Sequence, residues 1–330
     1  MLPYTRRDFA KSSFAALASA GLYSILTPLR AADSAAAPAG KPNSKVAGVQ
    51  IGINVPYSFG SGNMTGDDIL KACVQLGLSG VELRTQPVEA FMGAPAKPAA
   101  KPLTSANVPT EVPKDAPAEA TPKNIADWRK SVSMDKATEF RKKYEEAGVL
   151  IEIVKVDGIF KMSDAELDYV FKLAKTLGGR AISTEISHNK TELTRVGSFA
   201  DKHELMVGYH GHATTKPEHW VEAFSVAKFN GANVDLGHFV AGNNTSPVPF
   251  IKEHHERITH VHIKDRKFNN GPNTPFGEGD TPIAEVLRLL RDNKWNIQAT
   301  IEFEYKVPAG STRMAEIARG IKFCRDALTA

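Results

Sequence analysis

The chain has 330 residues, of which 42% are hydrophobic and 24% charged, and its formal net charge is +4. This length suits one large α/β domain or two small ones. No apolar stretch is long enough to predict a transmembrane helix in the mature protein. Without residues 1–32, 37 basic and 36 acidic side chains remain. A net charge near +1 offers no basic surface to a polyanion, so we expect no nucleic acid partner.

The two cysteines, Cys73 and Cys324, lie far apart in the sequence. Their number and spacing are not those of a disulfide framework or a zinc cluster. Both fall in predicted helices, where unpaired cysteine usually behaves as a small buried hydrophobic residue. We therefore expect both side chains to be buried.

The N-terminus resembles a twin-arginine export signal. Residues 5–11, TRRDFAK, precede a mildly apolar stretch and then a run of small residues from Ala31 to Ala37. Secretory leaders share this three-part layout. The alternative is a basic helix that belongs to the fold. The resemblance implies a signal peptide over 1–32, a flexible tether over 33–45, and an exported, periplasmic mature protein.

Short β-branched runs alternate with helical patterns from residue 46 onward. Strands are predicted over 46–54, 80–84, 149–157, 180–187, 205–212, 232–239, 258–265 and 296–304. Alternating strands and helices indicate a parallel sheet, and eight such units predict a (β/α)8 TIM barrel that forms a single α/β domain over 46–330. An open doubly wound sheet is the alternative, but no Gly-x-Gly-x-x-Gly turn follows the first strand.

The helical patterns between these strands are amphipathic. They include 67–77, 164–178, 282–293 and 312–328, and Gly77, Gly148 and Gly178 stand where helices are expected to end. Residues 86–127 interrupt the alternation because Pro, Ala and Lys dominate them. We expect an extended or disordered insertion after the second strand, on the face where barrel active sites lie, so a lid is the alternative to a solvated loop.

Polar side chains share one face of several predicted strands, near the C-terminal ends. In 258–265, His260, His262 and Lys264 alternate with apolar residues. Such groups are costly to bury inside a barrel unless a metal, a polar substrate or a charge partner satisfies them. Any one of them alone has a structural explanation, but their common position predicts a site at the barrel mouth. It would be lined by Glu82, Arg84, Glu185, His210, His212, Asp235, His260, His262, Glu302 and Glu304.

Seven motifs in these strands and loops resemble the xylose isomerase-like barrel superfamily of sugar isomerases and epimerases. They are GVELR (80–84), STE (183–185), HGH (210–212), VDLGH (234–238), HVHIKD (260–265), FGEGD (276–280) and IEFEY (301–305). The similarity covers about residues 46–328 apart from the Pro-rich insertion. HVHIKD followed by GEGD and a late glutamate is the most specific part, whereas GVELR alone would be weak.

The resemblance implies a metal site with the ligands Glu185, Asp235, His262 and Glu302. It also implies that His238 and Arg266 contact substrate oxygens and that His212 or alternatively His210 reaches the pocket. Glu304 of the polar rim is a further candidate substrate-binding residue. Three carboxylates and one imidazole suit one Mn²⁺, with Mg²⁺, Co²⁺ and Zn²⁺ as alternatives. Twin-arginine substrates cross the membrane folded, so a metal such as Mn²⁺ would be loaded in the cytoplasm.

The chemistry that follows from the resemblance is proton removal next to a sugar carbonyl. The metal would act as a Lewis acid, and Glu185 and Glu302 would remove and return the proton. Epimerisation or isomerisation of a non-phosphorylated sugar results, whereas a leaving group β to the carbonyl would make the enzyme a lyase for keto-glycosides. The loop with Gly277 and Gly279 is a simple turn or, alternatively, an anion-binding nest.

Two other functional classes remain. An endonuclease IV-like phosphodiesterase would need about three zinc ions and a basic groove, which the near-neutral mature chain does not predict. A non-catalytic carbohydrate-binding barrel would not need the intact ligand set. The sequence leaves the oligomeric state open, a homo-oligomer included.

Overall fold

Eight parallel strands close into a barrel. They are β1 Val49–Val55, β2 Gly80–Arg84, β3 Leu150–Lys155, β4 Ala181–Glu185, β5 Met206–His210, β6 Asn230–Asp235, β7 Ile258–Ile263 and β8 Gln298–Ile301. Each strand pairs with its neighbour in chain order, and β8 pairs with β1. This computed structural model describes residues 40–95 and 123–330. The predicted TIM barrel is confirmed.

Helices surround the barrel in the described residues. They are α1 Gly66–Gln75, α2 Thr85–Met92, α3 Lys123–Ser131, α4 Asp135–Glu146, α5 Asp164–Thr176, α6 Lys190–His203, α7 Pro217–Val226, α8 Leu236–Asn243, α9 Val248–His254, α10 Ile283–Asp292 and α11 Arg313–Thr329. Short strands Asp265–Arg266 and Asn273–Thr274 pair in the loop after β7. Within the described ranges, no helix is both long and apolar enough to cross a bilayer.

The apolar core lies between the strands and these helices. Ile53, Val81, Val261 and Ile301 are fully buried in it, and burial of each such side chain contributes about 1.5–3 kcal/mol. The core also contains Cys73 and Cys324, as expected, together with Leu287, Leu290, Ile317 and Ile321 from the two last helices. This close packing of helices against the strands holds the strand ends in fixed positions.

Six predicted strands end earlier than expected, two of them by three or more residues. The predicted strand 232–239 stops at Asp235, and residues 236–239 begin α8. Asp235 Oδ1 accepts a hydrogen bond from the His238 N–H at 2.7 Å, so the carboxylate that ends the strand caps the helix. The predicted strand 296–304 stops at Ile301, which leaves Glu302 and Glu304 in the following loop.

The predicted signal peptide 1–32, most of the tether, and residues 96–122 of the insertion lie outside the described residues. The described ends of these segments are structured. Ser44 is buried, and its hydroxyl donates to the Ile51 carbonyl oxygen at 2.6 Å. The insertion begins in α2 and ends in α3, because buried contacts such as Ile125 outweigh the Pro- and Ala-rich composition.

Candidate active site

Every strand of the barrel contributes a polar side chain at or near its C-terminal end. In the order β1 to β8 these are Asn54, Glu82, Lys155, Glu185, His210, Asp235, His262 and Glu302. All except Glu185 are buried. Because parallel strands end at the same rim, these groups converge at the mouth. His260, His262 and Lys264 of the predicted polar face in and after β7 are all at most 1% exposed.

Four of these side chains bring nitrogen or oxygen atoms that could ligate a metal ion close to one another. One donor atom from each of His210, Asp235, His262 and Glu302 lies within 4.8 Å of the others. His262 Nδ1 is 3.3 Å from Glu302 Oε2 and 3.8 Å from Asp235 Oδ2. His210 Nε2 is 3.4 Å from Asp235 Oδ2 and 3.9 Å from Glu302 Oε2. These separations are close to those of ligands that share one cation at about 2.0–2.2 Å.

The outer nitrogen of each imidazole faces a carboxylate. His262 Nε2 lies 2.6 Å from Glu82 Oε2, and His210 Nδ1 lies 3.0 Å from Glu185 Oε2. A histidine that donates its outer N–H to a carboxylate keeps the lone pair of its inner nitrogen for a metal. His262 Nδ1 is buried and has no hydrogen-bond partner among the described residues. The donor set and this unsatisfied nitrogen fit a divalent cation.

Lys264 places an ammonium group beside the same carboxylates. Its Nζ is 3.0 Å from Asp235 Oδ2 and 2.6 Å from both Glu302 Oε2 and Glu304 Oε2. Burial raises the pKa of Asp235 and of Glu302, but the charge of Lys264 and the neighbouring histidines together outweigh burial and hold both pKa values well below their ordinary range. The two carboxylates are therefore ionised, as metal ligands must be.

Glu185 lies outside this four-residue group, on the open side of the mouth. Its side chain is 48% exposed, and its Oε1 forms an ion pair with the buried Lys155 Nζ at 2.6 Å. Its Oε2 lies 3.0 Å from His210 Nδ1 and 2.7 Å from His212 Nε2. Burial raises the pKa of Glu185, yet Lys155 and His210 outweigh it and keep the pKa well below its usual value. Both oxygens of this carboxylate are thus engaged by donors.

The predicted substrate contacts His238 and Arg266 lie next to each other. Arg266 Nη1 is 2.7 Å from His238 Nδ1, and Lys264 Nζ is 3.0 Å from His238 Nε2. A neutral imidazole accepts at one nitrogen only, so at most one of these contacts is a hydrogen bond. His212, 45% exposed, lies on the open side, whereas His210 is buried. Both histidines reach the mouth.

Three residues of the site were not recognised in the sequence. Lys155 pairs with Glu185, Asn54 Nδ2 donates to Glu302 Oε1 at 2.9 Å, and the Tyr57 hydroxyl donates to Glu304 Oε1 at 2.6 Å. Asn54 and Lys155 each interrupt an apolar run near the C-terminal end of a strand, and this interruption was the available signal. Tyr57 lies in a turn after β1, and its partner is 247 residues away.

The glycine loop after β7 surrounds an anion that the chain itself provides. Asp265 is buried, and its Oδ2 accepts the N–H groups of Gly277 and Gly279 at 2.8 and 2.9 Å, while Oδ1 accepts that of Thr281 at 3.2 Å. A Cβ at Gly279 would lie 1.9 Å from Asp265 Oδ1. The loop is therefore a backbone nest filled by an internal carboxylate.

Comparisons with known proteins agree with this fold. A curated relative, the inosose dehydratase of Clostridium botulinum, is 27% identical over 135 residues, which are 34% of this chain and 45% of the relative. The chain thus matches about half the length of that relative.

Solved structures resemble the whole barrel. The probable 3-DHS dehydratase AsbF from Bacillus anthracis matches with a TM-score of 0.58 and 14% identity, over 83% of this chain and 98% of that one. The 3-keto-D-glucoside 4-epimerase YcjR from E. coli matches with a TM-score of 0.55 and 10% identity, over 84% and 99%. At these identities the likeness concerns the fold.

The family model described as "Xylose isomerase-like TIM barrel" matches residues 162–327. This range contains β4 to β8 and hence all four members of the donor group. It extends from the turn before α5 into the last helix, so it spans half of the chain. The chain belongs to the xylose isomerase-like TIM barrel family.

Proposed function

We propose that this protein is a metal-dependent enzyme of the sugar isomerase or epimerase type, which removes a proton next to the carbonyl of a non-phosphorylated sugar. One observation carries the proposal: two buried imidazoles and two buried, ionised carboxylates converge at the C-terminal mouth of the barrel. The family membership and the names of the relatives, which include an epimerase and two dehydratases, support a sugar-modifying enzyme.

The proposed cofactor is one divalent ion. Mn²⁺ is the preferred ion, and Mg²⁺, Co²⁺ and Zn²⁺ are the alternatives. Asp235, His262 and Glu302 are ligands both in the family resemblance and in the donor group. The resemblance makes Glu185 the fourth ligand, whereas the geometry favours His210. When bound, the ion would supply Lewis acid chemistry at a carbonyl oxygen.

The protein's own residues would move the proton. Glu185 lies half exposed at the mouth, where its carboxylate can reach a substrate and act as the base. Glu302 would act from the β8 side of the barrel. The nearby His212, His238, Arg266 and Glu304 would bind substrate oxygens, whereas His210 faces the donor group of the metal site. Because Asp265 accepts the N–H groups of Gly277 and Gly279, these two amides are not available to a phosphate, which supports a non-phosphorylated sugar.

Elimination is the second candidate, because the curated relative and one structural neighbour are named as dehydratases. Both reactions begin with the same proton removal, and they diverge when a group β to the carbonyl leaves. The third candidate, an endonuclease IV-like phosphodiesterase, would bind about three zinc ions.

We also propose that the enzyme is exported, which would bring it into contact with free sugars and glycosides.

The test is incubation of the metal-loaded protein with keto-sugars, inososes and keto-glycosides in D₂O, followed by NMR. Deuterium next to the carbonyl with an inverted centre supports epimerisation, and release of water or an alcohol supports elimination. A protein that exchanges no substrate proton and binds three metal ions per chain would contradict the proposal.

Glu185→Gln tests the proposed base. The amide keeps the shape and can still accept hydrogen bonds but cannot take up a proton, so we expect turnover to fall by at least about 10²–10⁴-fold. The fold should stay intact, while the melting temperature should fall because the buried Lys155 loses its charge partner. Turnover rates and circular dichroism check the two statements, and unchanged turnover would refute the assignment.

A further inference from the structure

We infer that His210, rather than Glu185, is the fourth ligand of the cation, and that Glu185 stands outside as the hydrogen-bond partner of His210. The inference rests on the proposed metal site and specifies its ligands as His210, Asp235, His262 and Glu302. It assigns two imidazoles to the ion where the family resemblance implies one.

The first argument is the position of the inner nitrogen of His210. Nε2 lies 3.4 Å from Asp235 Oδ2 and 3.9 Å from Glu302 Oε2, the same two oxygens that His262 Nδ1 faces. No oxygen of Glu185 belongs to this group; Glu185 forms a separate group with His210 and His212. The side chain of His210 is 4% exposed, whereas that of Glu185 is 48% exposed.

The second argument is the matching arrangement around the two histidines. Glu82 faces the outer nitrogen of His262 at 2.6 Å, and Glu185 faces the outer nitrogen of His210 at 3.0 Å. In both cases a carboxylate directs the lone pair of the inner nitrogen toward Asp235 and Glu302. Carboxylate–histidine pairs of this kind are typical of metal ligands and their supporting groups.

The third argument is the set of contacts that Glu185 would lose as a ligand. Its Oε2 faces both His210 Nδ1 and His212 Nε2, and its Oε1 pairs with Lys155. Lys155 is 1% exposed, so displacing its carboxylate would leave a buried ammonium unpaired.

A chemical consequence follows from the second imidazole. Nitrogen donors favour Mn²⁺, Co²⁺ and Zn²⁺ over Mg²⁺, which prefers oxygen ligands and keeps much of its water. Glu185, relieved of metal binding, remains at the half-open mouth and keeps its ion pair with Lys155.

Mn²⁺ binding to the wild type, His210→Ala, Glu185→Gln and Asp235→Asn, measured by calorimetry without substrate, tests the inference. We expect His210→Ala to lose at least a hundredfold in affinity, as Asp235→Asn does, and Glu185→Gln to lose about tenfold, because its amide oxygen can still accept from His210 Nδ1. His212→Ala is the matched control because it removes the other histidine of the same segment, and its affinity should stay within threefold. A hundredfold loss in Glu185→Gln, or wild-type binding by His210→Ala, would overturn the inference.

A second measurement does not depend on the folding of any variant. Pulsed electron paramagnetic resonance of the Cu²⁺-substituted wild-type protein counts coordinated imidazoles. Two coordinated imidazoles support the inference, and a single coordinated imidazole overturns it. If Asp235→Asn binds Mn²⁺ as tightly as the wild type, the whole proposed metal site fails, which is distinct from a wrong fourth ligand.

Discussion

Lys264 is the residue whose charge bears most directly on the candidate metal site. Its ammonium contacts Asp235 Oδ2 and Glu302 Oε2, which are two of the four grouped donor atoms. A divalent ion and the ammonium would share these oxygens, and like charges a few ångströms apart repel strongly in a buried site. Lys264 and the metal should therefore oppose each other.

Lys264→Met keeps the length of the side chain and removes its charge. We expect the affinity for Mn²⁺ to rise at least tenfold, measured by calorimetry in the absence of substrate, because the repulsion is relieved. Lys267→Met is the matched control, since Lys267 pairs with Asp280 at a more exposed position. An equal or lower affinity of the Lys264 variant would show that the ammonium does not compete with the ion.

Gly279 matters because the backbone approaches the Asp265 carboxylate closely there. A methyl group at position 279 would overlap with Asp265 Oδ1 at 1.9 Å. Gly279→Ala should break the nest and cost about 1–3 kcal/mol of unfolding free energy, since a buried carboxylate loses hydrogen bonds. Urea denaturation measures the loss. Gly62→Ala, where a Cβ meets nothing within 4 Å, should change the unfolding free energy by less than about 0.5 kcal/mol.

At the scale of elements, one arginine joins the helices on both sides of residues 96–122. Arg129 on α3 bonds to Glu89 on α2 at 2.8 Å and to Glu166 on α5 at 3.1 Å. All three side chains are buried. Glu166 also accepts from the backbone N–H and hydroxyl of Ser163, which caps α5. The connection between β2 and β3 is thereby attached to the rest of the barrel.

Glu166 should make stability depend on pH. Burial raises its pKa, but the Ser163 hydrogen bonds and Arg129 outweigh burial and lower the pKa below 4.5. A depressed carboxyl pKa stabilises the fold fully above the unfolded value and loses this effect as the pH falls through the folded value. Glu166→Gln should thus lower the unfolding free energy by about 1–3 kcal/mol at pH 7 and by less at pH 3.

Urea denaturation of the wild type and Glu166→Gln at both pH values measures this difference. Glu139→Gln on the exposed face of α4 is the control and should have little effect at either pH. A difference that stays constant between pH 7 and pH 3 would mean that the ionised form of Glu166 does not stabilise the fold.

At the scale of the whole molecule, the closed barrel brings together residues that are far apart in the chain. Glu82 on β2 meets His262 on β7, 180 positions later, and Asn54 on β1 meets Glu302, 248 positions later. Closure of β8 onto β1 is what makes these contacts. A cation bound among side chains from β5 to β8 should therefore stabilise the folded state as a whole.

Mn²⁺ at a hundred times its dissociation constant should add about 2.7 kcal/mol to the unfolding free energy, because only the folded chain assembles the site. Scanning calorimetry should show a higher Tm with Mn²⁺ and its reversal by a chelator. Asp235→Asn should show no such shift. An equal Tm increase in that variant would mean that the ion binds somewhere else.

The sequence by itself determined much of this protein. Periodicity was sufficient for the eight strands and the closed barrel, because a strand or an amphipathic helix depends mainly on neighbouring residues. The alternation in 258–265 likewise placed His260, His262 and Lys264 on one buried face. The family resemblance identified Asp235, His262 and Glu302, which the structure brings together.

Only the tertiary structure decided which side chains meet at the mouth. Strand parity shows which face a residue takes, but not the distance to a partner on another strand. His210 thus lies in the donor group, and Glu185 pairs with Lys155 instead. Asp265 occupies the backbone nest of the glycine loop, which the glycine motif alone does not predict. Register, tilt and closure set those distances, and they result from packing of the entire barrel.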